Sequence, residues 1–222
     1  MNLVAGDPPP ATHPLAVEAG SVDRLASIAR SWRSAAAALR ARPRLSVAAR
    51  ETIECQRALF EELCACGSSF ELRVATADGL PQGIAALEPL EQTVFIHYLI
   101  SAPWNALTVS DVTDLRTMRG ACSALIADAV RRSAASGRGG LVSLEAVNDR
   151  CAAIYRHLGF SRIDLPRTYP ADLYQPAEAR KRCWMLLDGA RSGRFSALAR
   201  LPNCDLQEQS RRFLAVRTRA AA

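Results

Sequence analysis

Two short stretches carry the residue types that could do chemistry. The first is "NDRCAAIYRHLGF", Asn148 to Phe160. Its spacing is helical, with Cys151, Ile154, Tyr155 and Leu158 on one face and Asn148 in position to cap the helix start. Read alone, a tyrosine on an apolar stripe is a core residue with its hydroxyl satisfied at the rim. The second stretch is "RTMRGACSALI", Arg116 to Ile126. Here a loop feeds a basic, glycine-containing turn and then a helix N-terminus. Such a turn points successive backbone N–H groups outward, and the helix dipole adds partial positive charge to that of Arg116 and Arg119. Gly120 would let an anion approach the backbone closely. The arrangement suits a pyrophosphate. Read alone, it is also a loop with one glycine and two solvated arginines, and it is neither a Walker A loop nor a G-x-G-x-x-G turn.

Composition bounds the classes open to the chain. With 222 residues, 49% hydrophobic and 23% charged, it suits a soluble protein with one substantial core. No apolar run of about 18 residues occurs, so no membrane span is expected. The start, "MNLVAGDPPPATHPLAVEAG", has neither a basic opening nor an apolar run and does not read as a secretory signal. The net charge of +6 comes almost wholly from arginine, Lys181 being the only lysine. It favours anionic ligands, but the arginines are scattered without aromatic interleaving, which argues against nucleic acid. The seven cysteines (Cys55, Cys64, Cys66, Cys122, Cys151, Cys183 and Cys204) read as reduced thiols of a cytoplasmic protein. None lies at finger spacing with His13, His97 or His157, so no metal site is expected.

The elements that must position these stretches follow from periodicity. A helix capped by Ser21 carries Leu25, Ile28, Ala29, Trp32, Ala36 and Leu39 on one face and stops at Pro43. A second runs from about Ser46 to Cys66, with Ala49, Ile53, Gln56, Phe60 and Leu63 as its stripe and Gly67 at its end. Three strands follow: "FELRVATADG", turning at Asp78-Gly79, then "GIAALEP", then "QTVFIHYLISAPWN". Cys122, Leu125, Ile126, Ala129 and Val130 mark the next helix, "LVSLEAV" a buried strand, and "GFSRID" and "KRCWMLLDG" two more strands around the Tyr155 helix. Mixed strands with interleaved helices give an α/β (α+β mixed) fold. The expected organisation is a disordered Pro-rich N-terminus over 1–18, one domain over 19–190, and a helical or flexible C-terminal extension over 191–222.

In this order the two stretches become familiar. From about residue 93 to 165 the chain resembles the GCN5-related N-acetyltransferase (GNAT) superfamily. Aligned on "SALI", Thr117, Met118, Arg119, Gly120, Ala121 and Cys122 fall on that superfamily's Q/R-x-x-G-x-G/A turn. Gly120 matches; Thr117 and Cys122 depart, which makes the turn a degenerate copy. Asn148, Cys151, Ile154, Tyr155, Leu158, Gly159 and Phe160 follow N-x-x-A-x-x-[LI]-Y-x-x-L-G-F, with Cys in the small-residue place. The resemblance implies a central, mostly antiparallel mixed sheet splayed between its fourth and fifth strands and flanked by helices. It implies acetyl-CoA as co-substrate and direct transfer of the acetyl group to an amine. Its pantetheine arm would lie along Leu99, Ile100 and Ser101. Its pyrophosphate would sit on the N–H groups of Met118, Arg119, Gly120, Ala121 and Cys122, with charge from Arg116 and Arg119 and with Asn148 near the cofactor. Tyr155 would protonate the leaving thiolate.

The base that deprotonates the amine is not fixed by the resemblance. His97, Glu88, Glu91 and Glu145 are the candidates, and strand alternation puts His97 on the face opposite Tyr98. Cys122 and Cys151 occupy small-residue slots and are expected to be packing. The other readings are a catalytically weak CoA-binding or regulatory domain, and an effector directed to a partner by its extensions. The acceptor, small molecule or protein, and a homodimer stay open.

Overall fold

The computed structural model describes residues 15–107, 114, 116–147, 149–162 and 183–187. Its elements are β1 (Ala16–Ala19), α1 (Val22–Arg40), α2 (Val47–Cys66), β2 (Glu71–Ala77), β3 (Leu80–Pro89), β4 (Val94–Ser101), α3 (Ala121–Ala135), β5 (Val142–Ala146), α4 (Asp149–His157), β6 (Ser161–Arg162) and β7 (Cys183–Leu187). The sheet order is β1-β2-β3-β4-β5-β7-β6. Every neighbouring pair is antiparallel except β4–β5. A parallel pair needs a long crossover, and α3 supplies it. This is the mixed, mostly antiparallel sheet flanked by helices that the sequence resemblance implies.

Local chemistry accounts for the elements. Ser21 and Ser46 each accept the N–H three residues on, Arg24 at 3.1 Å and Ala49 at 3.2 Å, and so start α1 and α2. Asp78 and Gly79 both take positive φ, +50° and +74°, and close the two-residue β2–β3 hairpin. Gly67 ends α2 for a different reason from the left-handed cap that its type suggests. Its φ is −60°, and a Cβ there would sit 2.7 Å from Leu25 Cδ2, so the position needs close packing against α1 rather than unusual backbone.

Two cores lie on the two faces of the sheet. Leu25, Ile28, Trp32, Leu39, Ile53, Phe60 and Leu63 of α1 and α2 pack on Leu72, Val74, Ile84, Ala86 and Ile100. Leu125, Ile126, Ala129 and Val130 of α3 pack on Ala75, Ala85, Leu87, Val94 and Ile96 from the other side. The ion pair of Arg73 with Asp128, 2.7 Å, ties β2 to α3 with both side chains nearly buried. Among the described residues no helix is long and apolar enough to cross a membrane.

Three differences from the sequence reading stand out. Ala16–Ala19 pairs with Arg73–Thr76, so the sheet begins inside the segment expected to be a disordered N-terminus. Ile154 is exposed, and Ala152 is the buried residue of α4, because the helix is short and turned toward the core by Cys151 and Tyr155. Residues 1–14, 108–113, 115, 148, 163–182 and 188–222 lie outside the described residues, and with them the expected role of Asn148 and the expected C-terminal extension.

Gly83 sets how closely α3 can press on the sheet. A Cβ there would lie 3.1 Å from Leu125 Cδ1 and 3.3 Å from both Ala121 Cβ and the Ile100 carbonyl oxygen. Gly83→Leu is expected to lower stability by about 1–3 kcal/mol, read from urea unfolding, because overpacking pushes the first turn of α3 away.

Candidate active site

The site begins with a mismatch between two strands. In the β3–β4 register Ala86 faces Tyr98 and Leu87 faces Ile96, so His97 is one residue more than β3 can match. That extra residue is a β-bulge, which bends its strand and resets the alternation of side chains. Val94 and Ile96 before it pack toward α3. His97 and Tyr98 then both turn to the α1–α2 face, where the Phe70 ring lies 4.4 Å from the His97 ring and 6.0 Å from the Tyr98 ring. Regular alternation would put His97 opposite Tyr98; the bulge overturns that expectation.

The same bend ends the pairing of β4 with β5. Only Val94, Phe95 and Ile96 have partners, Val142, Ser143 and Leu144. Past them the two strands part, and the β5-facing backbone groups of Leu99, Ile100 and Ser101 have no β5 partner. Leu99 points toward α3, Ile100 is buried under α1 and α2, and Ser101 Oγ accepts a hydrogen bond from Gln56 Nε2 at 2.5 Å.

The candidate acid and bases stand on opposite faces of the sheet. His97 Nε2 and Glu88 Oε2 are 2.6 Å apart, and the imidazole is held between Phe70 and Phe95. A carboxylate accepting from Nε2–H leaves Nδ1 as the basic nitrogen of the neutral ring. Glu145 shares this face, because Val142, Leu144 and Ala146 of β5 are spent on the α3–α4 side. Tyr155 packs on that other side with Leu99, Cys151 and Leu158, its ring 5.8 Å from that of Phe160. Burial raises the Tyr155 phenol above its ordinary range, with smaller contributions from the nearby Cys122 and Cys151 thiols. Its proton is therefore retained through neutral and mildly alkaline pH.

The turn before α3 is built from parts that no sequence motif announces. Gln82 of β3 is buried, and its side-chain oxygen accepts from Trp104 Nε1 at 3.0 Å and Asn105 Nδ2 at 3.1 Å. Asn105 Oδ1 in turn accepts the Met118 N–H at 2.7 Å, and Thr117 Oγ1 donates to the Trp104 carbonyl at 3.0 Å. Asp114 accepts from the Arg116 backbone N–H and Nε at 3.0 Å each and from Nη2 at 2.9 Å, while the guanidinium lies 4.5 Å over the Trp104 ring. Gly120, at φ +94°, then turns the chain into α3.

Two of the groups expected at a phosphate have protein partners in this structure. The Met118 N–H is already engaged by Asn105, and the Arg116 charge is engaged by Asp114 and Trp104. What remains fits an anion: the turn N–H groups of Arg119 and Gly120, and those of Ala121, Cys122 and Ser123, which have no intrahelical acceptor by helix geometry. Arg119 lies alongside, its Nη2 3.5 Å from the Leu107 carbonyl oxygen. Burial pushes the Cys122 thiol up to about 12 and raises that of Cys151 as well. Neither forms a thiolate at neutral pH, which suits packing rather than nucleophilic work.

No protein-family model and no curated protein matches the chain. Solved structures with a similar course of the chain include a GNAT-family protein from Desulfovibrio desulfuricans (18% identical, 79% of this chain and 99% of that one, TM-score 0.47). They also include PaiA N-acetyltransferase from Thermoplasma acidophilum, bound to coenzyme A (16% identical, 78% and 98%, TM-score 0.44). A third is the ribosomal-protein-S18-alanine N-acetyltransferase from Escherichia coli (17% identical, 78% and 92%, TM-score 0.43). All three scores lie below 0.5, so the functional reading rests on this chain's own strand order, bulge and turn.

Asp114 gives the turn a pH dependence. The Arg116 guanidinium lowers its carboxyl from 3.8 to about 2, against the opposing effect of burial, with further help from the Arg116 N–H and Arg42. The side chain is only 6% exposed. A depressed carboxylate stabilises the fold above its unfolded pKa, so about 2 kcal/mol is present above about pH 4 and is lost as pH falls through about 2. Urea unfolding of Asp114→Asn should show lower stability than the unsubstituted chain at about pH 6, with the gap closing as pH falls toward about 2.

Proposed function

We propose that the chain is a GNAT-type acyltransferase that moves an acetyl group from acetyl-CoA to an amine without a covalent enzyme intermediate. The observation that carries this reading is the parting of β4 from β5 directly beside the Gly120 turn, with Tyr155 on the helix that follows β5. An extended arm needs backbone partners along its length, and Leu99–Ser101 offer them. A pyrophosphate needs convergent N–H groups, and Arg119–Ser123 offer them. In this reading the acetyl-CoA is substrate rather than a resident group.

The chemistry then follows from the two faces. The neutral amine attacks the thioester carbon; a C–N bond forms as the C–S bond breaks. The amine proton passes to a base on the α1–α2 face, with His97, oriented by Glu88, favoured over Glu145. Tyr155 gives its proton to the departing sulfur and regains one from solvent. Negative charge on the carbonyl oxygen would be met by a backbone N–H at the bulge, where the extra residue lies outside the ladder. The direct route is supported by the protonated state of both neighbouring thiols.

A second reading has a specific observation in its favour. The engagement of Met118 and Arg116 leaves the turn with fewer phosphate contacts than the resemblance implies, which suits a CoA-binding domain with weak catalysis. Calorimetry with acetyl-CoA and turnover on a panel of amines separate the two. On the acyltransferase reading, Tyr155→Phe binds acetyl-CoA as before while kcat falls by about a hundredfold. Binding without turnover on any amine would select the second reading, and absence of acetyl-CoA binding would remove both. Gly120→Val, which cannot take the positive φ without strain, is expected to weaken acetyl-CoA binding by at least about tenfold in the same calorimetry.

A further inference from the structure

Two guanidinium groups share one carboxylate between the end of α1 and the turn that leads into α3. Asp114, 6% exposed, holds Arg116 by a bidentate pair, with Nε on Oδ1 at 3.0 Å and Nη2 on Oδ2 at 2.9 Å. Arg42 Nη2 reaches the same Oδ2 only at 3.4 Å. Arg42 Nη1 is buried and has no hydrogen-bond partner among the described residues. The Arg42 backbone is fixed, because its N–H donates to the Leu39 carbonyl at 3.1 Å and its carbonyl accepts from Leu45 at 3.3 Å. The orphaned nitrogen is therefore not the product of a loose chain. A carboxylate offers about four lone-pair sites. Arg116 takes three of them, its backbone N–H on Oδ1 at 3.0 Å being the third, and Arg42 has a loose share of what is left.

The charges do not balance either. Among the described residues, Arg116 and Arg42 are the charged groups that act on Asp114, so two cations meet a single anion. What the cluster lacks is a second anion. The two arginines differ in their access to one. The Arg116 side chain is 43% exposed and stands four residues before Gly120, whereas the orphaned Arg42 nitrogen is sealed from solvent. Asp114 keeps its place when the Arg116 guanidinium is removed. The Arg116 backbone N–H still donates to Oδ1, and the Asp114 carbonyl still accepts from Thr117 at 2.9 Å. We propose that Asp114 is a latch shared by Arg116 and Arg42: an anion at the Gly120 turn draws the Arg116 guanidinium off Asp114, and the freed carboxylate closes on Arg42. Each cation then has its own anion, and the orphaned donor has an acceptor. Arg42 is a positioning residue in this exchange. It sets how readily the turn takes a phosphate without touching it. The pyrophosphate of acetyl-CoA as occupant rests on the acyl-transfer reading, whereas the latch asks only for an anion of that chemistry.

The test is calorimetry on the full-length chain with inorganic pyrophosphate and, separately, acetyl-CoA. Asp114→Asn removes the latch and is expected to bind either ligand about fivefold more tightly. Arg42→Gln leaves the freed carboxylate without its second partner and is expected to bind about fivefold more weakly. Arg42→Lys, which keeps the charge, should recover most of that loss. In the Asp114→Asn background Arg42→Gln should change nothing, a result that a merely structural arginine would not give. Should Asp114→Asn fail to fold, the Arg42 Nε–H resonance of the ¹⁵N-labelled chain decides, once assigned by its loss in Arg42→Gln. A saturable shift of it with pyrophosphate supports the latch, and an unmoved resonance overturns it. Equal binding by Arg42→Gln, no tightening in Asp114→Asn, or the same weakening by Arg42→Gln in both backgrounds would each overturn the latch, and the acyl-transfer reading would stand wherever acetyl-CoA still binds. The full pattern with pyrophosphate in a chain that does not bind acetyl-CoA would support the latch and remove the acyl-transfer reading. Binding of neither ligand would remove both.

Discussion

The interaction on which the rest depends is the one that β4 stops making. Three residues of parallel pairing hold β4 to β5, and then the extra residue at His97 bends β4 away. A sheet that ran on regularly would satisfy its own backbone groups and bury both faces, leaving no opening. The bulge converts the end of a strand into unpaired backbone and brings two successive side chains, His97 and Tyr98, to one face. The candidate groups stand on opposite sides of the sheet. Tyr155 comes from the α3–α4 side, and His97 and Glu145 from the α1–α2 side. On the proposed acyl-transfer reading, proton delivery and proton removal would be separated by the sheet itself.

The opening would be useless without a rigid end, and the β4–α3 connection supplies it. Gln82 sits in the sheet, so the atoms it holds inherit the sheet's rigidity. Trp104 and Asn105 are fixed to it, and through Asn105 and Thr117 the turn before Gly120 is fixed in turn. Asp114 adds a second anchor by closing the Arg116 side chain back on its own loop. These bonds engage the Met118 N–H and the Arg116 guanidinium, two groups that the resemblance would place against a phosphate. While so engaged, these groups are not available to hold a ligand. The N–H groups from Arg119 onward are left to do that.

Much of the architecture was legible because it is local. The stripes Leu25–Ile28–Trp32–Leu39 and Leu125–Ile126–Ala129–Val130 name their buried faces by spacing alone, and Ser21, Ser46 and Asp78-Gly79 name their caps and turn. The Gly120 turn and Tyr155 were legible as a pair because their order and separation are those of a known arrangement. Other features were hidden by non-local causes. The His97 bulge exists only in register with β3, so alternation along β4 gives the wrong face. β1 is four residues long and is held by its partner strand, not by its own pattern. Gln82, Asn105 and Asp114 act through partners 22, 23, 13 or two residues away, at spacings that belong to no motif. Asn105 and Met118 illustrate the limit best: neither type signals a phosphate turn, yet their single bond decides which N–H groups it can offer.

Trp104 joins the two halves of the molecule. It is fully buried, with its edge toward Trp32 at 6.5 Å and the Arg116 guanidinium 4.5 Å over its ring. Trp32 packs between α1 and α2, and Arg116 stabilises the turn that begins α3. One indole, held by Gln82, therefore packs against both the apolar core on one face of the sheet and a charged loop at its end. Close-packed side chains transmit displacement because they have few voids to absorb it. A shift of the Trp32 ring would press on Trp104, and Trp104 cannot shift without disturbing its bonds to Gln82 and Thr117. The α1–α2 pair and the turn before α3 are in this sense built on one rigid element, which fixes their separation more firmly than either helix could alone.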